Sequence, residues 1–267
     1  MSDRAPLPAS PNAVLHTILN RASVRRWEDR DVPDDVLETI VRAGRQAPFT
    51  GQSYSVVVTR DKAKREELSR IFGRMCLAAP VFMLICCDFR KLEKFIAAKG
   101  RTNRMEDLGL LLFSTQDAAY FGENMVLAAE SLGLGTVFLG SAPFVADRLV
   151  PMFNLPPRVF PLVGLLLGYR AESPAPRPRV PLKFVLHWDQ YHDLSDGDVE
   201  ETLSVMDAGL IREGYYQKLN AKIALTDGTD DKVTLDEYGW GEHVSRKYSQ
   251  WRRVVSDNLA KQGIIVK

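Results

Sequence analysis

Residues 117–141 read Asp117-Ala-Ala-Tyr-Phe-Gly-Glu-Asn-Met-Val-Leu-Ala-Ala-Glu-Ser-Leu-Gly-Leu-Gly-Thr-Val-Phe-Leu-Gly-Ser141. Ala118, Phe121, Met125, Ala128, Ala129 and Leu132 recur at three- and four-residue spacing, and only Glu123 and Glu130 carry charge in the later turns, so the first half predicts a buried helix. Gly133 stops it. Gly133, Gly135 and Gly140 permit a sharp turn and let a flat ligand approach backbone amides, while Thr136 to Leu139 suit a short buried strand. The same residues also suit a core helix packed on a core strand, the glycines serving as helix cap and tight turn. The stretch therefore decides the local architecture and leaves its use open.

Around it, 267 residues with 45% hydrophobic content suffice to bury one substantial core without disulfides or metal. With 35 basic and 34 acidic side chains the formal charge is +1, which gives no global bias toward nucleic acid or an anionic membrane. Any anion must be met locally. Cys86 and Cys87 are adjacent in an apolar run and Cys76 is the odd one out, a pattern of buried reduced thiols in a reducing compartment. No zinc-type ligand spacing occurs, and His187 and His192 read as structural. Residues 1–11 are polar and proline-rich, and no run reaches the length of a membrane helix, so a soluble, cytoplasmic protein is expected.

Residues 1–10 form a loose tail in this reading. Val14, Leu15, Ile18 and Leu19 mark an amphipathic helix over 12–21, followed by Arg21-Ala-Ser23-Val-Arg25-Arg-Trp27. Two forked cations and a hydroxyl within five residues suit phosphate oxygens, and they equally suit a solvated basic helix end. Asp34 is a plausible N-cap of a second helix with Val36, Leu37, Ile40 and Val41 on its apolar face. The chain then turns through Ala47-Pro-Phe-Thr-Gly-Gln52-Ser-Tyr-Ser-Val56 into a strand.

Residues 61–72 predict a charged surface helix and 80–87 a continuous apolar strand. The 91–112 segment mixes Lys91, Lys94, Lys99, Arg101 and Arg104 with apolar residues; its length suggests a lid, its charges a solvated face. Pro143 opens a helix through Leu149, and Phe160 to Gly168 forms an apolar strand. Proline in Pro176-Arg177-Pro178-Arg179 keeps the backbone extended and presents both guanidinium groups at low entropic cost; the alternative is a stiff polar connector. A short strand over 184–187 follows, and from Asp193 the chain is expected to be largely helical, with Val199, Leu203, Met206 and Leu210 as one stripe.

The order and spacing of these stretches resemble the flavin-dependent nitroreductase family, particularly its long-chain branch of NAD(P)H nitroreductases and flavin reductases, over about residues 11–264. Arg21-X-Ser23-X-Arg25-X-Trp27 is similar to the family's phosphate motif, with Ala22 where many relatives carry another basic residue. The 47–56 segment resembles its Ala-Pro-loop-Gln-X-Tyr-Ser-Val run, with a shorter loop, and the 177–181 run its basic-Pro-Arg-X-Pro signature. The resemblance implies an α+β fold, a mixed sheet flanked by helices, with two FMN sites at a homodimer interface. It implies a flavin domain over 11–192 and a mostly helical extension over 193–267.

Carried over residue by residue, it implies that Arg21, Ser23, Arg25 and Arg179 hold the FMN phosphate and that Arg177 lies near the flavin N1–C2 carbonyl edge. Gln52 would read the pyrimidine edge, and the backbone of Phe138, Leu139, Gly140 and Ser141 would lie against the ring, with an amide near Gly140 or Ser141 bonding N5. The implied activity is NAD(P)H-dependent reduction of nitroaromatics, quinones or flavins by ping-pong hydride transfer. Because the cofactor carries the electrons, no acid–base dyad is needed. Two other readings stay open: a specialised reductase on the same fold, acting on aryl halides or activated alkenes, and a non-enzymatic flavin-binding protein. NADPH-using relatives usually carry arginines in the region corresponding to 226–231, whereas this chain has an acidic run there, which leaves NADH or NADPH as donor.

Overall fold

In chain order the elements are α1 (Ala13–Asn20), α2 (Asp34–Gly44), β1 (Tyr54–Thr59), α3 (Lys62–Phe72), α4 (Met75–Ala78), β2 (Val81–Asp88), α5 (Phe89–Ala97), α6 (Asp107–Ser131), β3 (Leu134–Leu139), α7 (Ala146–Met152), β4 (Val159–Tyr169), α8 (Asp196–Arg212) and α9 (Arg252–Lys261). They belong to a computed structural model that describes residues 12–212, 214, 239–241, 243–244 and 252–266. The chain divides into two units, residues 13–175 together with the segment from 253, and residues 176–252 with the N-terminal twelve.

The larger unit is built on a four-stranded sheet of order β1-β2-β4-β3. All eight residues of β2 are buried, and their alternation supplies two cores at once. Phe82, Leu84 and Cys86 face a cluster with Val24, Trp27, Leu68 and Leu149. Val81, Met83 and Ile85 face a second cluster with Ile40, Tyr54, Phe121 and Met125 from α2, β1 and α6.

The resemblance implied a mixed sheet, but the four described strands pair antiparallel throughout. The reason is topological. β2 and β3 run the same way, as a crossover through α5 and α6 requires, but β4 is inserted between them and opposes both. The helix-flanked α+β architecture is as expected.

Helix α6 is the spine. It runs 25 residues and starts ten positions before the stretch that predicted it, with Asp107 in its first turn at the positive end of the helix dipole. Thus 91–112 is no single excursion: it divides into most of α5, a loop, and the start of α6. Gly133 takes φ 81, the left-handed conformation that ends a helix, while Leu132 beside it is 47% exposed and not part of the buried face.

Two further expectations need correction. Asp34 is the first residue of α2, Pro33 holds the cap position, and the Asp34 carboxylate is drawn to Arg60 instead. Residues 184–187 form no strand. A 3-10 turn over Leu182–Phe184 follows Pro181, and Leu182, Val185 and Leu186 are exposed with no strand to pair among the described residues.

In the smaller unit, Met206 and Leu210 form the buried face of α8, whereas Val199 is exposed. Pro178 lies so close to Gly209 that a Cβ there would stand 2.6 Å from the proline ring. Lys183 pairs with Glu201, and the Trp240 amide donates to Asp207 at 2.6 Å. Tyr215, Tyr216, the 226–231 run and Trp251 lie outside the described residues. Among the described residues no helix is long and apolar enough to cross a membrane.

Candidate functional site

The 21–27 segment is extended, and its alternation sorts the side chains. Ala22, Val24 and Trp27 turn inward, while Arg21, Ser23 and Arg25 stay half-buried at the surface. Three backbone bonds fix it against the sheet: the Val24 amide donates to Thr136 O at 2.9 Å, Glu28 to Tyr169 O at 2.9 Å, and Ala171 to Arg26 O at 3.1 Å. The Trp27 indole donates to Gly135 O at 2.9 Å. Gly135 must lack a side chain, because a Cβ there would lie 2.7 Å from Val24.

A carboxylate locks the turn. Glu172 accepts the amides of Arg25 at 2.6 Å and Arg26 at 3.1 Å, and the Arg26 guanidinium at 3.0 Å. Burial would raise the Glu172 carboxyl, but these donors outweigh it and hold it below the usual glutamate range. Sequence reasoning passed over Glu172, since nothing in its Ala-Glu-Ser setting distinguishes it from a surface acid.

Arg21 reaches β3, the strand predicted within residues 117–141. Its guanidinium lies over the Phe138 ring at 5.7 Å, and Glu123 stands 3.8 Å from its Nε. That Nε is buried and has no hydrogen-bond partner among the described residues, an unmet donor at the rim of the strand end. Beyond Phe138, Leu139 is buried, Gly140 is exposed with nothing within 4 Å of where a Cβ would be, and Ser141 precedes the 3-10 turn Ala142–Val145. The surface at Gly140 is therefore open.

Gln52 lies on the same unit, in the loop entering β1. Its side chain is exposed and its φ is 50, unusual for a residue other than glycine. Asp117, which is 1% exposed on α6, accepts the amides of Thr50 at 2.6 Å, Gly51 at 2.9 Å and Ser53 at 3.1 Å. On the other side, Leu92 of α5 approaches Gly51, and Lys91 donates to Tyr54 O with its ammonium 5.1 Å from the Tyr54 ring. Desolvation lowers the Lys91 pKa, with Asp88 opposing. The basic run in 91–112 is thus solvated at Lys94, Lys99, Arg101 and Arg104 but not at Lys91.

A seven-residue span of α6, an axial rise of about 9 Å from first to last, carries all three parts: Asp117 holds the Gln52 loop, Gly122 faces the Phe138 ring, and Glu123 meets Arg21. In the other unit Arg177 is half-buried and Arg179 exposed, with Arg179 donating to the carbonyls of Arg177 at 3.2 Å and Pro178 at 3.1 Å. His187 is held locally: its Nδ1 accepts the His192 amide at 3.2 Å and its ring lies 4.6 Å from Tyr191.

Comparison with known proteins places this chain in a family. The model of the nitroreductase family matches residues 18–169. The oxygen-insensitive NADPH nitroreductase of Salmonella typhimurium is 30% identical over 254 residues, 93% of this chain and 97% of that protein. An FMN reductase [NAD(P)H] of Bacillus subtilis is 29% identical over 266 residues, 96% of this chain and 99% of its own. Among solved structures, NfrA2 of B. megaterium superposes with a TM-score of 0.81 at 27% identity, covering 96% of this chain and 99% of that one. On the match of residues 18–169, more than half of the chain, and on relatives similar along nearly its whole length, this chain belongs to the nitroreductase family.

Proposed function

We propose that the chain is an FMN-dependent NAD(P)H oxidoreductase that reduces nitroaromatics, quinones or flavins, with donor and oxidant binding in turn over one face of the cofactor. The observation that carries this reading is the alignment along α6 of the Gln52 loop, the Phe138 strand end and the unmet Arg21 donor. Those features fit FMN: an open backbone edge for a flat ring, an amide side chain offering donor and acceptor, and cations for a phosphate. Whole-length similarity to proteins named as FMN reductases and NADPH nitroreductases supports it.

When bound, FMN supplies the two-electron hydride chemistry that no side chain provides. In this reading Arg21, Ser23, Arg25 and Arg179 hold the phosphate, Arg177 offsets negative charge at the N1–C2 carbonyl edge, and Gln52 reads the pyrimidine edge. The backbone from Phe138 to Ser141 lies against the ring, with an amide at Gly140 or Ser141 donating to N5. The flavin body is residues 11–192, and the 193–267 extension helps to complete a homodimer in the cytoplasm. The apolar faces favour a second copy: α1 buries none of its residues, exposing Val14, Leu15, Ile18 and Leu19, and α6 exposes Leu108, Leu112, Phe113 and Tyr120.

The test is an absorbance spectrum of the purified protein followed by anaerobic addition of NADH and, separately, NADPH. Bands of oxidised flavin near ~370 and ~450 nm that bleach on mixing are expected, and the faster donor is the physiological one. Bound flavin that neither nicotinamide reduces would point to the flavin-binding alternative. A colourless protein that takes up no added FMN would overturn the reading.

A further inference from the structure

Asp117 stands on the buried face of α6, with neighbours Ser114, Ala118 and Phe121. It forms no ion pair among the described residues; its charge is met by amides. A buried carboxylate is costly unless hydrogen-bonded, and here Oδ1 accepts Thr50 N while Oδ2 accepts Gly51 N and Ser53 N, with Ser53 Oγ at 3.4 Å from Oδ2 and 2.7 Å from Ser114 Oγ. Within 50–53 only the Gln52 amide is left out.

That pattern dictates the conformation of residue 52. With the amides on either side drawn to one carboxylate, the chain must turn over between Gly51 and Ser53, and Gln52 takes the left-handed φ of 50. An unbranched residue other than glycine or asparagine pays about 1 kcal/mol there. Glycine would relieve that strain but carries no amide side chain. The arrangement keeps a glutamine where glycine is easier, and leaves its side chain exposed.

Resting on the flavin-site reading above, we propose that Asp117 is a positioning residue: its buried carboxylate presets the 50–53 turn so that Gln52 presents its side-chain amide to the pyrimidine edge of bound flavin. Asp117 itself touches no ligand. It acts through Gln52, so its removal and the removal of the Gln52 side chain cost the same contact once.

The experiment is a double-mutant cycle on flavin affinity. Apoprotein of the wild type, Asp117→Asn, Gln52→Ala and the double variant is titrated with FMN and with riboflavin, following flavin fluorescence. Asparagine keeps the shape but turns an NH2 toward the loop amides. Each single variant is expected to bind both ligands about tenfold more weakly, and the double variant no more weakly than either single. FMN and riboflavin should weaken by the same factor, because the phosphate end is untouched.

Wild-type affinity in Asp117→Asn, or a double variant weakened by the product of the two factors, would overturn the proposal while leaving the flavin site standing. A wild-type apoprotein that binds neither flavin would overturn the site reading as well. If Asp117→Asn fails to fold, amide exchange in wild type decides. Slow exchange at Thr50, Gly51 and Ser53 in apoprotein is expected, and protection that arises only with FMN would mean that the ligand, not Asp117, sets the turn.

Discussion

Single residues here act mainly through hydrogen bonds to backbone. Glu172 is held ionised by the Arg25 and Arg26 amides, so its contribution to folding is present above the unfolded glutamate pKa and is lost as pH falls through the lower folded value. Glu172→Gln replaces charge-assisted acceptors with one neutral oxygen and should cost about 1–2 kcal/mol, read by urea unfolding at neutral pH. The difference from wild type should shrink in acid; a constant difference would assign the loss to packing. At the cysteines the prediction is opposite in kind. Burial pushes the Cys76 and Cys87 thiols up to about 12 and Cys86 higher still, all three being buried. A thiol-specific reagent should therefore label none of them in the native protein and all of them in denaturant.

At the scale of elements, one arginine ties three together. Arg158, at the entry to β4, pairs with Glu93 of α5 and Asp107 of α6 and donates to Gly263 O at 2.7 Å, just past α9. Asp107 also accepts the Ile265 amide at 2.8 Å. The Arg158 hydrogen bond, opposed by desolvation, holds the Asp107 carboxyl below its ordinary range. Arg158→Ala leaves two partly buried carboxylates unpaired and should destabilise by about 2–3 kcal/mol, with earliest loss of exchange protection in α9 and the first turn of α6. Uniform loss over the whole sheet would contradict this local role. These ties join residues about 50 to 160 positions apart, so no window of sequence reveals them. The elements themselves were readable: β2 as an unbroken apolar run and α6 from its spacing. The α6 start was missed because Leu110 to Phe113 is too apolar to show a period, and the 184–187 strand failed because it has no partner among the described residues.

For the whole molecule, the apolar side chains exposed on α1 and α6 have no cover among the described residues. Leu19→Glu should convert the proposed homodimer into a monomer by light scattering and lower FMN content with it, whereas an unchanged mass would remove α1 from the proposed interface. The helix that organises the fold and the buried free cysteines follow from the sequence, because periodicity and residue chemistry are local properties, whereas the α+β class came through the family resemblance, on which the roles proposed for residues from Arg21 to Arg179 also rest. Only the tertiary structure decided that β4 separates β2 from β3, that Arg21 lies over Phe138 with an unmet Nε, and that Asp117 and Glu172 are the carboxylates clamping the two candidate loops. The physical reason is that a buried acid is recognised by the amides that surround it, and folding brings those amides from 66 and 147 residues away.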